Sequence, residues 1–454
     1  MKKTTDLTKG EPLKLILFFA LPIFLGNFFQ QIYNIADTMI VGYTLGESQL
    51  AAMGSTGPLY NLIIGFVFGI TNGFALITAK WFGADNIKNM KKAIGGTIIL
   101  GFIISTALTV ISLVFSKSIL MLLKTPEDII DSANGYISII IAGAVVTMLY
   151  NMLAGILRAV GNSKAPVIFL IIATICNVGF DFLFIKGFKL GIKGAAYATV
   201  LAQGVAVILC IIYILKQFRF LIPEKEDFKI SREMLSELLI SGLSMALMLS
   251  IVSIGSIILQ SAVNSFGTST ITSHTAARKI SEMFMLVLST FASASATFAS
   301  QNYGAKQYHR IKQGVWASIK LDFIWCIAIN IIILVAAPFI VSALIGTKDS
   351  QIIDTSVRYL RWNLPFYFIL SPLLVFRTAM QGIGKNFTPL IASAIEFGLK
   401  ILVVVWLAPK FGYFGVIISE PVIWIICAVF LAIMFFSDDT IKAAFSSDKI
   451  QQDL

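Results

Sequence analysis

The sequence predicts an all-α polytopic membrane protein, with twelve transmembrane helices arranged in two six-helix lobes. Three observations lead to this fold class: the composition, the number of long apolar segments, and a repeat of half the chain length. Of the 454 residues, 57% are hydrophobic and only 13% are charged, and the mean hydropathy is +0.86. A domain surrounded by water cannot bury so much apolar surface, so the solvent of this chain must be a lipid bilayer.

Twelve segments are long and apolar enough to cross a membrane as helices. A span needs about 20 mostly apolar residues, and several segments are longer, so we expect tilted or bent helices. A transmembrane β-barrel would show alternating segments of about ten residues instead. The predicted spans are residues 13–42, 50–82, 93–115, 132–157, 165–186, 194–215, 234–265, 272–303, 314–345, 355–379, 388–408 and 413–436.

The second half of the chain repeats the spacing of glycines in the first. Gly83 and Gly304 are 221 positions apart, and Gly46, Gly191 and Gly194 match Gly267, Gly412 and Gly415 at the same spacing. Each half has an even number of spans, so both halves enter the membrane in one direction and should be related by a pseudo-two-fold axis along the membrane normal. The alternative is a single bundle in which the matches are coincidental. The predicted division is residues 1–215 for the first lobe, 216–232 for a cytoplasmic linker and 233–454 for the second lobe.

The formal net charge is +11, and the distribution of the basic residues along the chain indicates the membrane topology. About 22 Lys and Arg residues lie in the termini and loops that are cytoplasmic if the N-terminus is, and about 7 lie in the outer loops, which is the positive-inside pattern. We expect a multi-pass protein of the inner (plasma) membrane with both termini in the cytoplasm. The first span is too long for the apolar region of a signal peptide. No basic stripe interleaved with aromatic residues suggests a nucleic-acid partner.

Other functions are disfavoured by missing motifs. No G-x-x-x-x-G-K-[ST] phosphate-binding loop occurs, so we expect transport driven by an ion gradient and no ATPase activity. His274 and His309 are far apart in sequence, and the four cysteines lie in separate spans as apolar side chains. We therefore expect no enzyme activity, no cofactor, and no metal site built from His or Cys.

The first span carries polar residues at helical spacing. Gln30, Tyr33, Asn34 and Asp37 recur three and four positions apart, which predicts one polar face turned away from lipid. Pro22 removes a backbone hydrogen bond upstream of them, so we expect a kink or hinge there.

A second polar pair, Asn177 and Asp181, lies in the fifth span, and Thr199 lies at similar depth in the sixth. These residues could form one buried cluster with Tyr33 and Asp37. Two carboxylates in a low-dielectric pocket cannot easily both ionise. The cluster is therefore expected to carry a proton or to bind Na⁺ through Asp37, Asp181 and Asn177. The alternative is that both aspartates are solvated at the membrane interface.

The second half carries a different set of intramembrane charges. Glu396 with Lys400, and Arg278 with Glu282, are four positions apart and can pair within one helix. One interpretation is structural neutralisation. The other is that a carboxylate attracts a cationic substrate, beside adaptable methionine side chains. The candidate substrate contacts are Glu282, Glu396, Glu420, Gln260 and Met285.

These patterns resemble the multidrug and toxic compound extrusion (MATE) family of transporters. The resemblance covers the whole chain through its halves, length and linker, and it rests on an ordered set of modest motifs. In chain order the motifs are Ala20-Leu21-Pro22, Gly26, Gln30, Tyr33-Asn34-x-x-Asp37-Thr38, Val41-Gly42, Phe82-Gly83-Ala84-Asp85, Arg158-Ala159-x-Gly161-Asn162 with Pro166, Asn177-x-x-x-Asp181 and Gly191-x-x-Gly194-Ala195-Ala196.

The resemblance implies a secondary active antiporter that exports amphipathic organic cations, including fluoroquinolones and dyes, against H⁺ or Na⁺ by alternating access. In members with an aspartate pair in the first lobe, positions like Asp37 and Asp181 bind the coupling cation. Positions like Tyr33, Asn177 and Thr199 support that site in the family. Its implied partners are cationic small molecules and membrane lipids, and we expect a monomer.

Two further points follow from the resemblance. Tyr136 and Asn151 match polar fourth-helix positions near the cation site. Some members carry acidic residues in the seventh and tenth helices, where this sequence offers Gln260 and Asn264 in the seventh and no carboxylate in the tenth. A second-lobe cation site of that type is therefore not expected.

Two rival functions remain open from the sequence. One is a flippase for lipid-linked oligosaccharide or peptidoglycan precursors, from the same superfamily, whose cavity would be rich in Arg and Lys. Here the intramembrane basic residues are partly matched by acidic ones. The remote alternative is an intramembrane aspartyl protease using Asp37 and Asp181, but the Gly-x-Gly-Asp motif of that chemistry is absent around Asp181.

Overall fold

The computed structural model describes residues 4–346 and 349–442, and every regular element within these ranges is helical. The α-helices are α1 (Pro12–Leu45), α2 (Glu47–Ser55), α3 (Gly57–Gly83), α4 (Ile87–Leu122), α5 (Glu127–Ala142), α6 (Ala144–Ala159), α7 (Lys164–Asp181), α8 (Ile192–Gln217), α9 (Arg232–Asn264), α10 (Thr268–Gly304), α11 (Tyr308–Ile345), α12 (Ser350–Asn363), α13 (Tyr367–Gly382), α14 (Phe387–Leu402), α15 (Ala408–Phe411) and α16 (Tyr413–Ser437).

Twelve spans are present among the described residues if one bent pair is counted as a single span. Eleven are long apolar helices, and the twelfth is α5 with α6, which meet at an angle of 42°. Gly143 lies between them, where an added Cβ would stand 2.3 Å from the Val200 side chain of α8. Only glycine permits this close approach. The all-α polytopic fold predicted from the apolar segments is confirmed.

The repeat of the sequence is also visible in the backbone. Gly46 and Gly267 have φ angles of 85° and 86°, Gly161 and Gly384 have 80° and 82°, and Gly191 and Gly412 have 59° and 62°. These left-handed values explain why glycine recurs at matched positions. Two π-helical segments, Phe182–Gly187 and Val403–Leu407, likewise begin 221 positions apart. Matched backbone conformations at matched positions indicate that both halves follow one backbone design.

One compact unit, called unit 1, comprises residues 4–6 and Leu21–Leu249. It includes the first part of α9, which packs on α3 through small residues. A Cβ added at Gly69 would lie 2.5 Å from the Ala246 backbone, and the Ser241 hydroxyl donates to the Gly73 carbonyl at 3.0 Å. Small residues allow helix backbones to approach closely in a membrane.

The other compact unit, unit 2, comprises Leu7–Ala20 and residues 250–442. The backbone N–H of Leu7 donates to Gln301 at 3.0 Å, and its carbonyl accepts from Asn302 and Arg310, each at 3.2 Å. Helices α1 and α9 therefore each supply residues to both units. The predicted lobes and linker describe order along the chain and stay predictions, whereas the compact units describe packing.

Candidate functional site

Three helices of unit 1 bring a set of polar side chains together inside the membrane-spanning region. Helix α1 supplies Tyr33 and Asp37, α7 supplies Asn177 and Asp181, and α8 supplies Thr199. All five are buried, and the two aspartates are 4% and 0% exposed. The i, i+4 spacing places both members of each pair on one face of its helix. The sequence-predicted coupling residues thus lie in one cluster, which we call the aspartate cluster.

Hydrogen bonds connect the members of the aspartate cluster. The Tyr33 hydroxyl donates to Thr199 Oγ1 at 2.9 Å, and the Thr199 hydroxyl donates to the Ala195 carbonyl at 3.0 Å. The Asn177 amide, oriented to satisfy its neighbours, donates to Asp181 Oδ2 at 3.1 Å and accepts from the Thr199 backbone N–H at 3.2 Å. Each supporting side chain is therefore fixed by a partner from another turn or another helix.

The two carboxyl groups of the cluster interact directly. Asp37 and Asp181 form a side-chain hydrogen bond with each other, which requires a proton on one of them because a carboxylate can only accept. Oδ1 of each aspartate is buried and has no partner among the described residues. The pair can hold a shared proton in this arrangement. Without that proton it presents carboxylate oxygens of the kind that Na⁺ and other hard cations bind.

Two tyrosines surround the aspartate pair. Tyr136 of α5 is 5% exposed and lies near enough to both aspartates to interact with them electrostatically. Tyr60 of α3 interacts in the same way with Asp37. The sequence analysis missed Tyr60, because a single tyrosine in an apolar span carries no periodic signal. Asn151 donates to the Thr147 carbonyl of its own helix at 2.9 Å, so its recorded bond does not join the cluster.

The other predicted residues of α1 lie outside the hydrogen-bonded cluster. Gln30 is half-buried and Asn34 is exposed, so only Tyr33 and Asp37 of the four polar residues are buried. Pro22 lies inside the continuous helix α1, one residue beyond the boundary between the packing units. It is about 22 Å along the helix from Asp37 at the usual rise per residue.

In unit 2 the predicted acidic residues lie beside basic ones. Glu420 accepts from Arg278 at 2.6 Å and from the Tyr359 hydroxyl at 2.7 Å, and Glu282 is 3.7 Å from Arg278. Glu396 accepts from Lys400 at 2.9 Å, as the spacing predicted, and also from Arg377 at 3.0 Å. Sequence reasoning missed Arg377 and Tyr359, because each lies on a different helix from its carboxylate.

The three glutamates and Met285 line one cavity of about 140 Å³ within unit 2. Gln260 does not line it and instead donates to Asn264 at 2.9 Å. No group of three His, Cys, Asp or Glu side chains that could hold a metal occurs in the described part of the chain. Unit 2 therefore presents a cavity with paired charges, and unit 1 presents a carboxyl pair.

Comparisons with known proteins agree with this architecture. A probable multidrug resistance protein of Bacillus subtilis, YpnP, is 28% identical over 436 residues, covering 94% of this chain and 96% of its own. The multidrug export protein MepA of Staphylococcus aureus is 22% identical, with 93% of each chain covered. A crystal structure of MATE in complex with MaL6 matches the fold with a TM-score of 0.89 and 24% identity, covering 98% of this chain and all of that one.

The family assignment follows from a match to both halves of the chain. A sequence model of the family MatE matches residues 22–183 and 244–406, which include every member of the aspartate cluster except Thr199. The matched relatives are named as a probable multidrug resistance protein and a multidrug export protein. The chain belongs to the MatE family of multidrug and toxic compound extrusion transporters and is a multi-pass membrane protein.

Proposed function

We propose that the protein is a secondary active antiporter that exports amphipathic organic cations in exchange for H⁺ or Na⁺ by alternating access. Asp37 and Asp181 would bind the coupling ion, with Asn177, Thr199 and Tyr33 fixing the geometry. The observation that carries this proposal is the buried carboxyl pair, which lacks a fixed counter-charge among the described residues. Burying an ionisable group without a counter-charge is costly, so such a group in a membrane span is a candidate for function.

The rest of the proposal concerns the setting of the transporter. The protein would work as a monomer in the inner membrane, with both termini in the cytoplasm and with lipids as its surroundings. Its only small ligands would be substrates and the coupling ion, with no cofactor. The positive-inside distribution of Lys and Arg supports this orientation.

The substrate class is supported by the relatives and by acidity near a cavity. The names of YpnP and MepA refer to multidrug resistance and multidrug export. Glu282 of unit 2 is half-exposed at the cavity wall, where it could meet a cationic group. A precursor flippase would require a surface with a strong excess of positive charge for a pyrophosphate, whereas the three cations Arg278, Arg377 and Lys400 face three glutamates in this cavity.

The test is transport by the purified protein in proteoliposomes with an imposed pH gradient or Na⁺ gradient, each alone. We expect a cationic dye to be transported in exchange for the ion under at least one of the two imposed gradients, and not to move when both gradients are absent. Asp37→Asn should abolish this movement, while Asp85→Asn, at an exposed loop position, should not. Movement of a lipid-linked precursor without dye movement would instead establish the flippase.

A further inference from the structure

Unit 2 contains a cavity whose ionised side chains fall into two groups. The cavity has a volume of about 140 Å³. We call Arg278, Glu282 and Glu420 the acidic group, and Arg377, Glu396 and Lys400 the basic group. The six formal charges sum to zero over the whole cavity, but the charges within each group do not.

The acidic group has one guanidinium for two carboxylates. Arg278 bonds Glu420 at 2.6 Å, and Glu420 also accepts from Tyr359 at 2.7 Å. Glu282 stands 3.7 Å from Arg278, beyond hydrogen-bonding distance, and its side chain is 55% exposed. The group therefore carries one formal negative charge in excess, on a carboxylate that can still accept a donor.

The basic group has two cations for one carboxylate. Both oxygens of Glu396 are occupied, one by Arg377 at 3.0 Å and one by Lys400 at 2.9 Å. All three residues are more than nine-tenths buried. Nε of Arg377 has no acceptor in the described part of the chain. The group therefore carries one formal positive charge in excess and an unused donor in a place where polar groups are normally paired.

Two more buried polar atoms on the cavity residues lack a partner. Ser281 Oγ and Asn363 Oδ1 form no hydrogen bond with the described residues. Both residues line the same cavity as Arg377, and both are more than nine-tenths buried. An unpaired buried polar atom is costly, so three around one cavity indicate a site that polar groups of a ligand complete.

Apolar side chains separate the two groups along the span that contains α12 and α13. Tyr359 bonds the acidic group, and Arg377 of the basic group follows 18 positions later. Leu370, Leu373 and Leu374 line the cavity between them. The long Lys400 side chain extends near enough to Glu420 to interact with it electrostatically. The lining of the cavity therefore combines the two charged groups with apolar leucines, and Lys400 of the basic group lies near enough to Glu420 of the acidic group to interact with it.

We infer that this cavity binds a small zwitterion, with its ammonium group at the acidic group and its carboxylate at the basic group. A simple cation would leave the excess positive charge of the basic group unmatched, and a simple anion would leave the acidic group unmatched. In a low-dielectric cavity each unmatched charge is expensive. The inference goes beyond the proposed ion coupling and does not rest on it, because it concerns binding at equilibrium.

The test uses three probes of matched shape with the purified full-length protein in nanodiscs and no ion gradient. The zwitterion is 4-(aminomethyl)benzoate, the cation is its methyl ester, and the anion is 4-methylbenzoate. Isothermal titration calorimetry should give at least about tenfold tighter binding for the zwitterion than for either relative, which corresponds to one matched charge pair. Equal binding of the zwitterion and the ester, or no binding of the zwitterion, would overturn the inference.

Variants separate the two ends of the cavity. Lys400→Gln keeps the Arg377–Glu396 pair but removes the excess positive charge, so the zwitterion should lose its advantage over the ester, and Lys400→Arg should restore it. Glu282→Gln should reduce zwitterion affinity to that of 4-methylbenzoate. If Lys400→Gln does not fold, Glu282→Gln and Ser281→Ala decide the question. Ser281→Ala removes a hydroxyl that has no hydrogen-bond partner among the described residues. Unchanged zwitterion affinity in both variants would contradict the site.

Failure of this inference and failure of the proposed function give different results. A protein that moves a dye when an ion gradient is imposed but shows no zwitterion preference would retain the coupling role of unit 1 and lose the cavity assignment. A protein that prefers the zwitterion but moves no dye under either gradient would retain the cavity assignment and lose the coupling role of unit 1.

Discussion

The aspartate pair of unit 1 and the buried glutamates of the unit 2 cavity have different partners. In unit 1, Asp37 and Asp181 bond each other, and no Lys or Arg within the described ranges forms an ion pair with either. In unit 2, Glu396 and Glu420 accept from fixed cations at 2.6–3.0 Å. A carboxylate whose oxygens bond fixed cations has little capacity to bind a mobile ion. A carboxyl group without a fixed cation can bind a proton or a metal cation.

The contrast separates two consequences of burying charge. Breaking a buried ion pair leaves an uncompensated charge and destabilises the fold. Neutralising a carboxyl group that has no fixed cation removes a charge that no side chain compensates. The fold should therefore tolerate the substitution, although the ion site is lost. We therefore expect mutations in unit 1 to affect transport more than stability, and mutations of the paired charges in unit 2 to affect stability strongly.

The largest effect is expected at the aspartate pair. Asp37→Asn should reduce gradient-driven efflux to the level of empty liposomes, because the amide keeps the volume of the side chain but cannot exchange a proton or bind a cation as a carboxylate does. Asp181→Asn should act in the same direction. The double variant should lose no more than Asp37→Asn alone, because one shared ion is lost in each case. Fully additive losses would mean that the two aspartates act independently.

A large effect on stability is expected at the basic group of unit 2. Glu396→Gln leaves Arg377 and Lys400 buried without their carboxylate, so it should lower the free energy of unfolding by about 3–5 kcal/mol. Glu282→Gln, at the half-exposed wall position, is the matched control and should cost less than about 1 kcal/mol. Denaturation of the detergent-solubilised protein measures both. Equal stability of the two variants would remove the distinction between the units.

A smaller effect on rate is expected at Pro22, which lies beside the point where α1 passes from one packing unit to the other. Pro22→Ala restores a backbone hydrogen bond and stiffens the helix, so we expect a folded protein with slower efflux. Val167, whose methyl group would lie 3.0 Å from a Cβ at Gly26, shows that α1 is closely packed just beyond this point. Efflux at the wild-type rate would exclude Pro22 as a hinge.

The smallest effect is expected at Tyr33, which supports the cluster without a carboxylate. Tyr33→Phe removes the hydrogen bond to Thr199 Oγ1. The concentration of coupling ion that gives half-maximal transport should rise about fivefold, equivalent to about 1 kcal/mol. Tyr43→Phe, on the same helix and 86% exposed, is the control. An equal shift in both variants would contradict a specific role for Tyr33.

Much of the fold and part of the candidate site could be predicted from local patterns. Continuous apolar segments require helices in a bilayer, so the spans were accessible without tertiary information. Helical spacing also placed Asp37 and Asp181 on the polar faces of their helices, and the structure brings their carboxyl groups together. The exposed position of Asn34 was harder to predict, because residues three and four apart are not equivalent on a helix of 3.6 residues per turn.

Contacts between distant helices were beyond the sequence. The bond of Arg377 to Glu396 joins α13 to α14, and that of Arg278 to Glu420 joins α10 to α16. Spacing within one helix indicated only Lys400 for Glu396 and Glu282 for Arg278. The bend at Gly143 depends on the approach of Val200 from another helix, which no local propensity encodes. Pairings set by packing therefore need the structure.

The most direct test of the central claim is the affinity of the protein for a cationic dye from pH 5 to 8, with and without Na⁺, in the wild type and in Asp37→Asn. If ion and dye compete through one conformational equilibrium, each must weaken the binding of the other by the same factor. We predict that wild-type affinity falls when the coupling ion is added, as protons or as Na⁺, and that Asp37→Asn binds the dye with no such dependence. An Asp37→Asn variant with the wild-type dependence on pH and Na⁺ would contradict the account and move the coupling site away from the aspartate pair.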